Sequence, residues 1–396
     1  MSNDKNPFRS FWMGGFECAD HLNKHGNRVD FLNITHHLTR INDDYKQLGP
    51  FNIATVREGI RWSYVEKSPY QYDFSTVKKM LASGKANHIQ QVWDICHFGF
   101  PADLTPFHPH FANRFTSLCR AFVKFYRKEC PDETLIITPI NEVSFLSWLG
   151  GEDSGTTPYC TGRGWQVKYA LMEAYIMGIY AMKEIDPGIR ILTTEPLVNM
   201  VPPLLASQQD IEKAAYSHQT QFQSLDILAG TMCPELGGSP ELLDLLGFNF
   251  YYNNQWVNND DELRFLPWQN KGNDPRWKPM SELIAYAYER YNGRPVVITE
   301  TSHPEEDRDL WIKFIGDECK KILNMNIPLL GVCLYPIIDR PDWDDLNDWH
   351  HSGLWDEKII TDEKSERVLN VPYSEALIAV QTLLNTSKEI SLLAYT

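Results

Sequence analysis

The sequence has no CxxC pair, no Pro/Ser-rich linker and no apolar run long enough to span a bilayer. Its eight cysteines (Cys18, Cys96, Cys119, Cys130, Cys160, Cys233, Cys319 and Cys333) are scattered. That spacing excludes the usual zinc and redox signatures and favours reduced, mostly buried thiols. The opening "MSNDKNPFRS" lacks the apolar core of a signal peptide. Basic residues are scarce, with Lys and Arg numbering 37 against 52 Asp and Glu, for a net charge of −15. Such a balance argues against a nucleic-acid backbone or an anionic membrane surface as the main partner. The expectation is a cytoplasmic protein forming a single domain over 1–396, with no nucleic acid and no membrane among its partners. Its oligomeric state is unknown from sequence.

What is present is a repeat of short apolar runs, most of them followed by a stretch of helical period. The runs fall at 11–18, 51–59, 88–97, 135–142, 189–196, 245–252, 295–302 and 329–339. Between them, Phe111, Phe115, Leu118, Phe122 and Phe125 recur at three- and four-residue spacing, as one buried helical face requires. Trp311, Phe314, Ile315 and Ile322 repeat the pattern, and Asp73 is an expected N-cap. Strands that alternate with helices predict parallel pairing, because parallel neighbours need a crossover. Eight such repeats predict a single (β/α)8 TIM barrel in the α/β class. The longest segments without helical period, 143–164, 253–275 and 340–362, would be loops on the face where barrel active sites lie. They carry Trp148, Tyr159, Trp256, Trp268, Trp343, Trp349 and Trp355. About half of these read as packing beneath long loops, and the rest as walls for the flat apolar faces of a sugar.

Two runs end in a carboxylate: "LIITPINE" at Glu142 and "VVITETS" at Glu300. Carboxylates facing one another over a cleft are what glycosidic cleavage uses. A Glu at a strand end is common, however, and by itself reads as a surface cap. The accompanying residues give the pair its meaning. "PINEV", "VITETS", "REGIRWSY", "HFGFP", "GFNFY" and "YPIIDRPDW" together resemble the motifs of clan A glycoside hydrolases, most closely family 1, the β-glucosidase and β-galactosidase type. The resemblance touches six of the eight runs.

The resemblance implies that Glu142, after Asn141, is the general acid/base and Glu300 the nucleophile. It implies that Arg57 and Tyr251 hold the nucleophile, and that His97, Asn141, Asp342 and Trp343 bind the sugar. Glu17 is the nearest polar candidate where the family carries a first-strand Gln. Thr301 and Ser302 replace the family's Asn and Gly, Tyr64 stands at its second Arg, and Tyr335 replaces its platform Trp. The bland alternatives are an Asx turn for Asn141, an ion pair of Arg57 with Glu58 or Asp94, and a satisfied strand-end polar residue for His97. Glu195, ending "ILTTEP", has no family counterpart and is expected only to line the cleft. "DWHHSG" and "FHPHF" pair histidines, but without ligand spacing at several strand ends, so neither metal nor cofactor is expected. The implied activity is a retaining glycosidase acting on a β-linked, non-phosphorylated carbohydrate substrate. Transglycosylation, a barrel lyase or isomerase, and a sugar-binding pseudoenzyme stay open.

Overall fold

The computed structural model describes residues 6–258, 263–270, 274–361 and 364–393. The eight runs become strands β1 (Trp12–Gly15), β2 (Thr55–Gly59), β3 (Gln90–Cys96), β4 (Ile136–Ile140), β5, β6 (Leu246–Asn249), β7 (Val296–Thr301) and β8 (Leu329–Leu334). β5 is interrupted. Its first part, Arg190–Ile191, pairs with β4, and its second, Glu195–Pro196, pairs with β6. A bridge between Leu192 and Leu245 lies between them, so this run joins both edges and closes the sheet. Every barrel pairing is parallel. One long helix follows each strand: α1 (His37–Leu48), α2 (Ser75–Ala86), α3 (Phe111–Glu129), α4 (Gly164–Lys183), α5 (Gln208–Thr220), α6 (Met280–Arg290), α7 (Arg308–Asn324) and α8 (Val371–Leu393). The architecture is the (β/α)8 barrel that the repeat predicts.

Alternation along the strands divides the apolar residues between two cores. Met13, Val92, Ile136, Leu192, Leu245, Val297 and Cys333 pack with Phe8 in one cluster, each of the seven from a different strand run, as the filled centre of a barrel requires. The larger cluster lies between sheet and helices. There α3 buries Phe111, Phe115, Leu118 and Phe122, while Phe125 is half-buried at the edge of the stripe. Each fully buried Phe contributes roughly 1.5–3 kcal/mol. On α7, Trp311, Phe314, Ile315 and Ile322 are buried as their spacing predicts.

Three loops and one helix cap differ from expectation. Residues 143–164, expected to be irregular, begin with a short helix, Val143–Gly151, whose capping group comes from β5 and is invisible to local pattern. In 253–275, Gln255–Val257 pairs with Asn199–Val201 and Arg264–Phe265; residues 259–262 and 271–273 of this segment lie outside the described residues. The segment 340–362 ends in a hairpin of Trp355–Thr361 with Lys364–Leu369, residue 362 lying outside the described residues. Asp73 accepts the Ser75 amide at 2.9 Å, yet α2 starts at Ser75, which leaves Phe74 rather than Asp73 at the N-cap. Among the loop aromatics, Trp268 and Trp355 belong to the core, whereas Trp148 is 48% exposed. No helix among the described residues is long and apolar enough to cross a membrane.

Candidate active site

β2 carries two adjacent charges, and a strand sends adjacent side chains to opposite faces. Arg57 points into the barrel and Glu58 points out to α1, where it meets His37 and Tyr45. Arg57 bonds Asp94 through both Nε (2.9 Å) and Nη2 (2.7 Å), a two-pronged pair. Nη2 also donates to Asn141 Oδ1 at 2.7 Å, and Nη1 to Glu300 Oε1 at 2.6 Å. Of the two ordinary partners the sequence offers, Asp94 is the one used, and Glu300 shares the same guanidinium. Asp94 is buried, which opposes its charge. The Arg57 guanidinium and the His97 ring outweigh that burial and hold the carboxyl below the usual carboxylate range.

Glu300 ends β7, 4% exposed. Its second oxygen accepts the Tyr251 hydroxyl at 2.7 Å. Glu142 stands two residues beyond β4 on a left-handed backbone, φ 44° and ψ 57°, a conformation that costs a non-Gly residue on the order of 1 kcal/mol. That turn aims the side chain across the barrel mouth, where Asn249 Nδ2 donates to Oε1 at 2.9 Å. Thr299 Oγ1 in turn donates to Asn249 Oδ1 at 2.6 Å and fixes the amide. One strand end therefore reaches both carboxylates, Asn249 touching Glu142 and Tyr251 touching Glu300. Desolvation pushes the Glu142 carboxyl well above its ordinary value, and the Glu300 charge raises it further, against the Asn249 hydrogen bond. The surroundings of the two glutamates thus differ: burial and a neighbouring carboxylate favour the neutral form of Glu142, while Glu300 is paired with a guanidinium.

A second wall stands beside Arg57. His97 Nδ1 meets Asp94 at 2.7 Å, and its Nε2 lies 3.3 Å from Asn141 Nδ2 and from the Tyr335 hydroxyl. Tyr335 stacks on His97 with ring centroids 5.6 Å apart and lies under Arg57 at 5.1 Å. Only Gly fits opposite this ring: a Cβ on Gly15 would stand 2.0 Å from Tyr335 Cδ2. Glu17 joins at the edge, 3.4 Å from the Tyr335 hydroxyl and 3.5 Å from both His97 Nε2 and Arg340 Nε. Trp343 packs against His21 (4.6 Å) and Phe98 (5.0 Å).

The structure therefore brings together Glu142, Glu300, Arg57, Tyr251, Asn141, His97 and Glu17. Trp343 stands next to this group. Asp342 does not join it: its carboxylate accepts the amides of Asp344 (2.8 Å) and Asp345 (3.1 Å) and faces His350 at 3.4 Å. The geometry adds Asp94 and Asn249 to this group, and Tyr335, which stands at the family's platform position, lies against His97 and Arg57. A lone acid within the apolar "QQVWDIC" was the signal for Asp94, and the two-residue spacing from Tyr251 was the signal for Asn249. Cys18, Asp94 and His97 offer ligand atoms within 4.8 Å of one another, a set that strand-end spacing did not reveal. Arg57 already engages both Asp94 oxygens, and burial raises the Cys18 thiol, so a cation would compete with the guanidinium. A similar cluster of Asp339, His351 and Asp356 has Arg308 on Asp356 at 2.7 Å.

No family model matches the sequence, and no curated protein is similar to it. Solved structures are. The AHE enzyme from Alicyclobacillus herbarius matches over 95% of this chain and 98% of its own, at 16% identity and a TM-score of 0.73. A family 1 β-glucosidase from Thermotoga maritima matches over 94% of this chain and 97% of its own, at 13% identity and a TM-score of 0.72. The virulence factor SghA, solved with its substrate analogue salicin, matches over 87% of this chain and 85% of its own, at 16% identity and a TM-score of 0.69. In fold, this chain resembles the family 1 β-glucosidases over nearly its whole length.

Proposed function

We propose that the protein is a retaining glycosidase acting on a β-linked, non-phosphorylated sugar. Glu300 would be the nucleophile and Glu142 the general acid/base. The observation that carries this reading is the unequal treatment of the two carboxylates at one barrel mouth. Glu300 is matched by Arg57 and Tyr251. Glu142 sits where desolvation and the Glu300 charge favour its protonated form. In the first step Glu300 attacks the anomeric carbon, and Glu142 gives its proton to the departing oxygen. In the second step the Glu142 carboxylate takes a proton from water, which attacks the same carbon and releases Glu300. This chemistry needs carboxyl groups about 5–5.5 Å apart, whereas an inverting site needs roughly 6.5–9.5 Å.

Asn141, His97 and Glu17 would bind hydroxyls of the sugar undergoing cleavage, with Trp343 as an apolar wall. Asn141 is suited to the 2-hydroxyl, because Arg57 orients its amide and Nδ2, 3.3 Å from His97 Nε2, has a second hydrogen to donate. The likeness to β-glucosidases in fold supports the reading. A panel of activated aryl glycosides covering hexoses, pentoses and both anomers tests it, with the anomer of the first product followed by NMR. The expected result is cleavage of one β-glycoside with retention. Glu300→Ala with azide should return a glycosyl azide of opposite configuration, and Glu142→Ala with azide one of the substrate's own configuration. Sugar binding without turnover would instead indicate a pseudoenzyme.

A further inference from the structure

Glu195 is the third carboxylate at the barrel mouth, and the mechanism above leaves it unused. It lies at the end of β5, 4% exposed, and it does not point into the cleft as a lining residue would. Its two oxygens accept the backbone amides of Val143 (2.8 Å) and Ser144 (3.1 Å). These are the first two residues of the helix whose N-cap position is Glu142. The first amides of a helix have no partner within it, and here the Glu142 side chain makes no capping bond because it is turned toward Asn249 and the cleft. One carboxylate thus does the capping that another has given up. The Glu142 amide donates to the Thr194 carbonyl at 2.9 Å, which ties the same turn to the residue before Glu195.

We propose that Glu195 is a positioning residue for Glu142: by clamping the helix that starts at Val143, it holds the left-handed backbone that aims the acid/base at Glu300. The proposal rests on the reading of Glu142 as the acid/base and adds to it a residue that sequence likeness does not supply. A second consequence is electrostatic. Glu142 is faced by Glu300 from β7, Glu195 from β5, Arg57 from β2, and Asn249 and Tyr251 from the end of β6. Glu195 is faced by Lys168 and Tyr175 from α4 and by the hydroxyl of Ser144. Burial raises the Glu195 carboxyl against the Ser144 hydrogen bonds and the Lys168 charge, and in its ionised form it disfavours ionisation of Glu142, so removing it should ease that ionisation.

The test compares Glu195→Gln and Glu195→Asp with the native protein, on aryl glycosides of the sugar it cleaves. Gln keeps the shape and one acceptor but loses the charge, while Asp keeps the charge and loses reach. For a phenol leaving group, which needs the proton, Glu195→Gln should lower kcat/KM by roughly ten- to a hundredfold. For dinitrophenyl, which does not, the loss should be under about threefold. The basic limb of the pH profile should move to lower pH in Glu195→Gln and stay in place in Glu195→Asp. Carboxyl-resolved NMR of Glu142 should show the same downward shift, and it can be read even if no glycoside is turned over. Equal losses for both leaving groups with an unmoved Glu142 titration would reduce Glu195 to a helix cap and overturn the proposal. Absence of any turnover by the native protein, with the titration shifted as expected, would instead sink the glycosidase reading and leave the positioning intact.

Discussion

Arg57 and Glu58 are neighbours on β2, and each is the hub of a buried ionic cluster, one inside the barrel and one outside. The outer cluster joins Glu58 Oε1 to His37 Nε2 at 2.9 Å and to the Tyr45 hydroxyl at 2.7 Å. His37 Nδ1 reaches Asp44 at 2.8 Å, and Arg367 bonds both Asp44 oxygens and pairs with Glu357. Every one of these groups comes from the packed layer of β2, α1 and the C-terminal hairpin. The inner cluster has the same ingredients (guanidinium, carboxylates, imidazole, phenol) but sits at the open end of the barrel. There Glu142 and Tyr251 are partly exposed, whereas Glu58, His37, Asp44 and Tyr45 are fully buried. The lesson is that buried charge alone does not mark an active site. What separates the two is that the inner cluster meets the surface at Glu142 and Tyr251, while the outer one is sealed between strand, helix and hairpin.

That contrast can be broken by mutation. The largest expected effect is on the inner cluster: Glu300→Ala should lose at least about 10³-fold in kcat. Glu142→Ala should lose about 10²–10⁴-fold on substrates with poor leaving groups. Thermal melting of both variants should stay near native, and a large drop in Tm would mean that the inner cluster is structural as well. Glu58→Ala should do the opposite. It leaves His37 with Asp44 alone and removes an acceptor of Tyr45, and should cost about 1–3 kcal/mol of stability, measured by denaturant unfolding, with little change in KM.

The outer cluster should also respond to pH. Burial of His37 opposes its charge, but Glu58 and Asp44 outweigh it and raise its pKa from 6.5 to about 9. A pKa raised by folding stabilises the charged, folded state. The contribution is fully present below about 6.5 and is lost as pH rises through about 9, on the order of 3 kcal/mol at most. Unfolding titrations at pH 6 and pH 9.5 should show that loss in the native protein and not in His37→Ala. The smallest expected effect belongs to Asp342→Ala. Because its carboxylate is engaged by its own loop, kcat/KM should change by less than about fivefold, or roughly 1 kcal/mol. A loss of about 2–4 kcal/mol would mean that the loop turns on binding and brings Asp342 to the sugar.

Much of the barrel was legible because strand and helix periods are local properties of the chain. Phe111 to Phe122 and Trp311 to Ile322 announce buried faces without reference to anything distant. The strand-end residues Glu142, Glu300, Arg57 and His97 could be ordered against the family's motifs for the same reason. What could not be read depends on contacts across the barrel. Glu195 caps a helix that begins 52 positions away, so no window around "TTEP" reveals its role. Asp342 follows the strand-eight motif in register, but Arg340 and Pro341 precede it, and the carboxylate turns back onto Asp344 and Asp345. The interruption of β5, whose first part pairs with β4 and whose second pairs with β6, likewise has no signal in the run itself.

As the proposed nucleophile, Glu300 should become covalently bonded to the sugar. Incubation with a 2-deoxy-2-fluoro sugar carrying a dinitrophenyl leaving group, in the configuration found active, slows the second step and traps the intermediate. Intact-protein mass measurement and peptide mapping should find one sugar per chain on the peptide containing Glu300, and none in Glu300→Ala. An adduct on another residue, or cleavage of the parent glycoside with inversion and no adduct, would rule out Glu300 as the nucleophile.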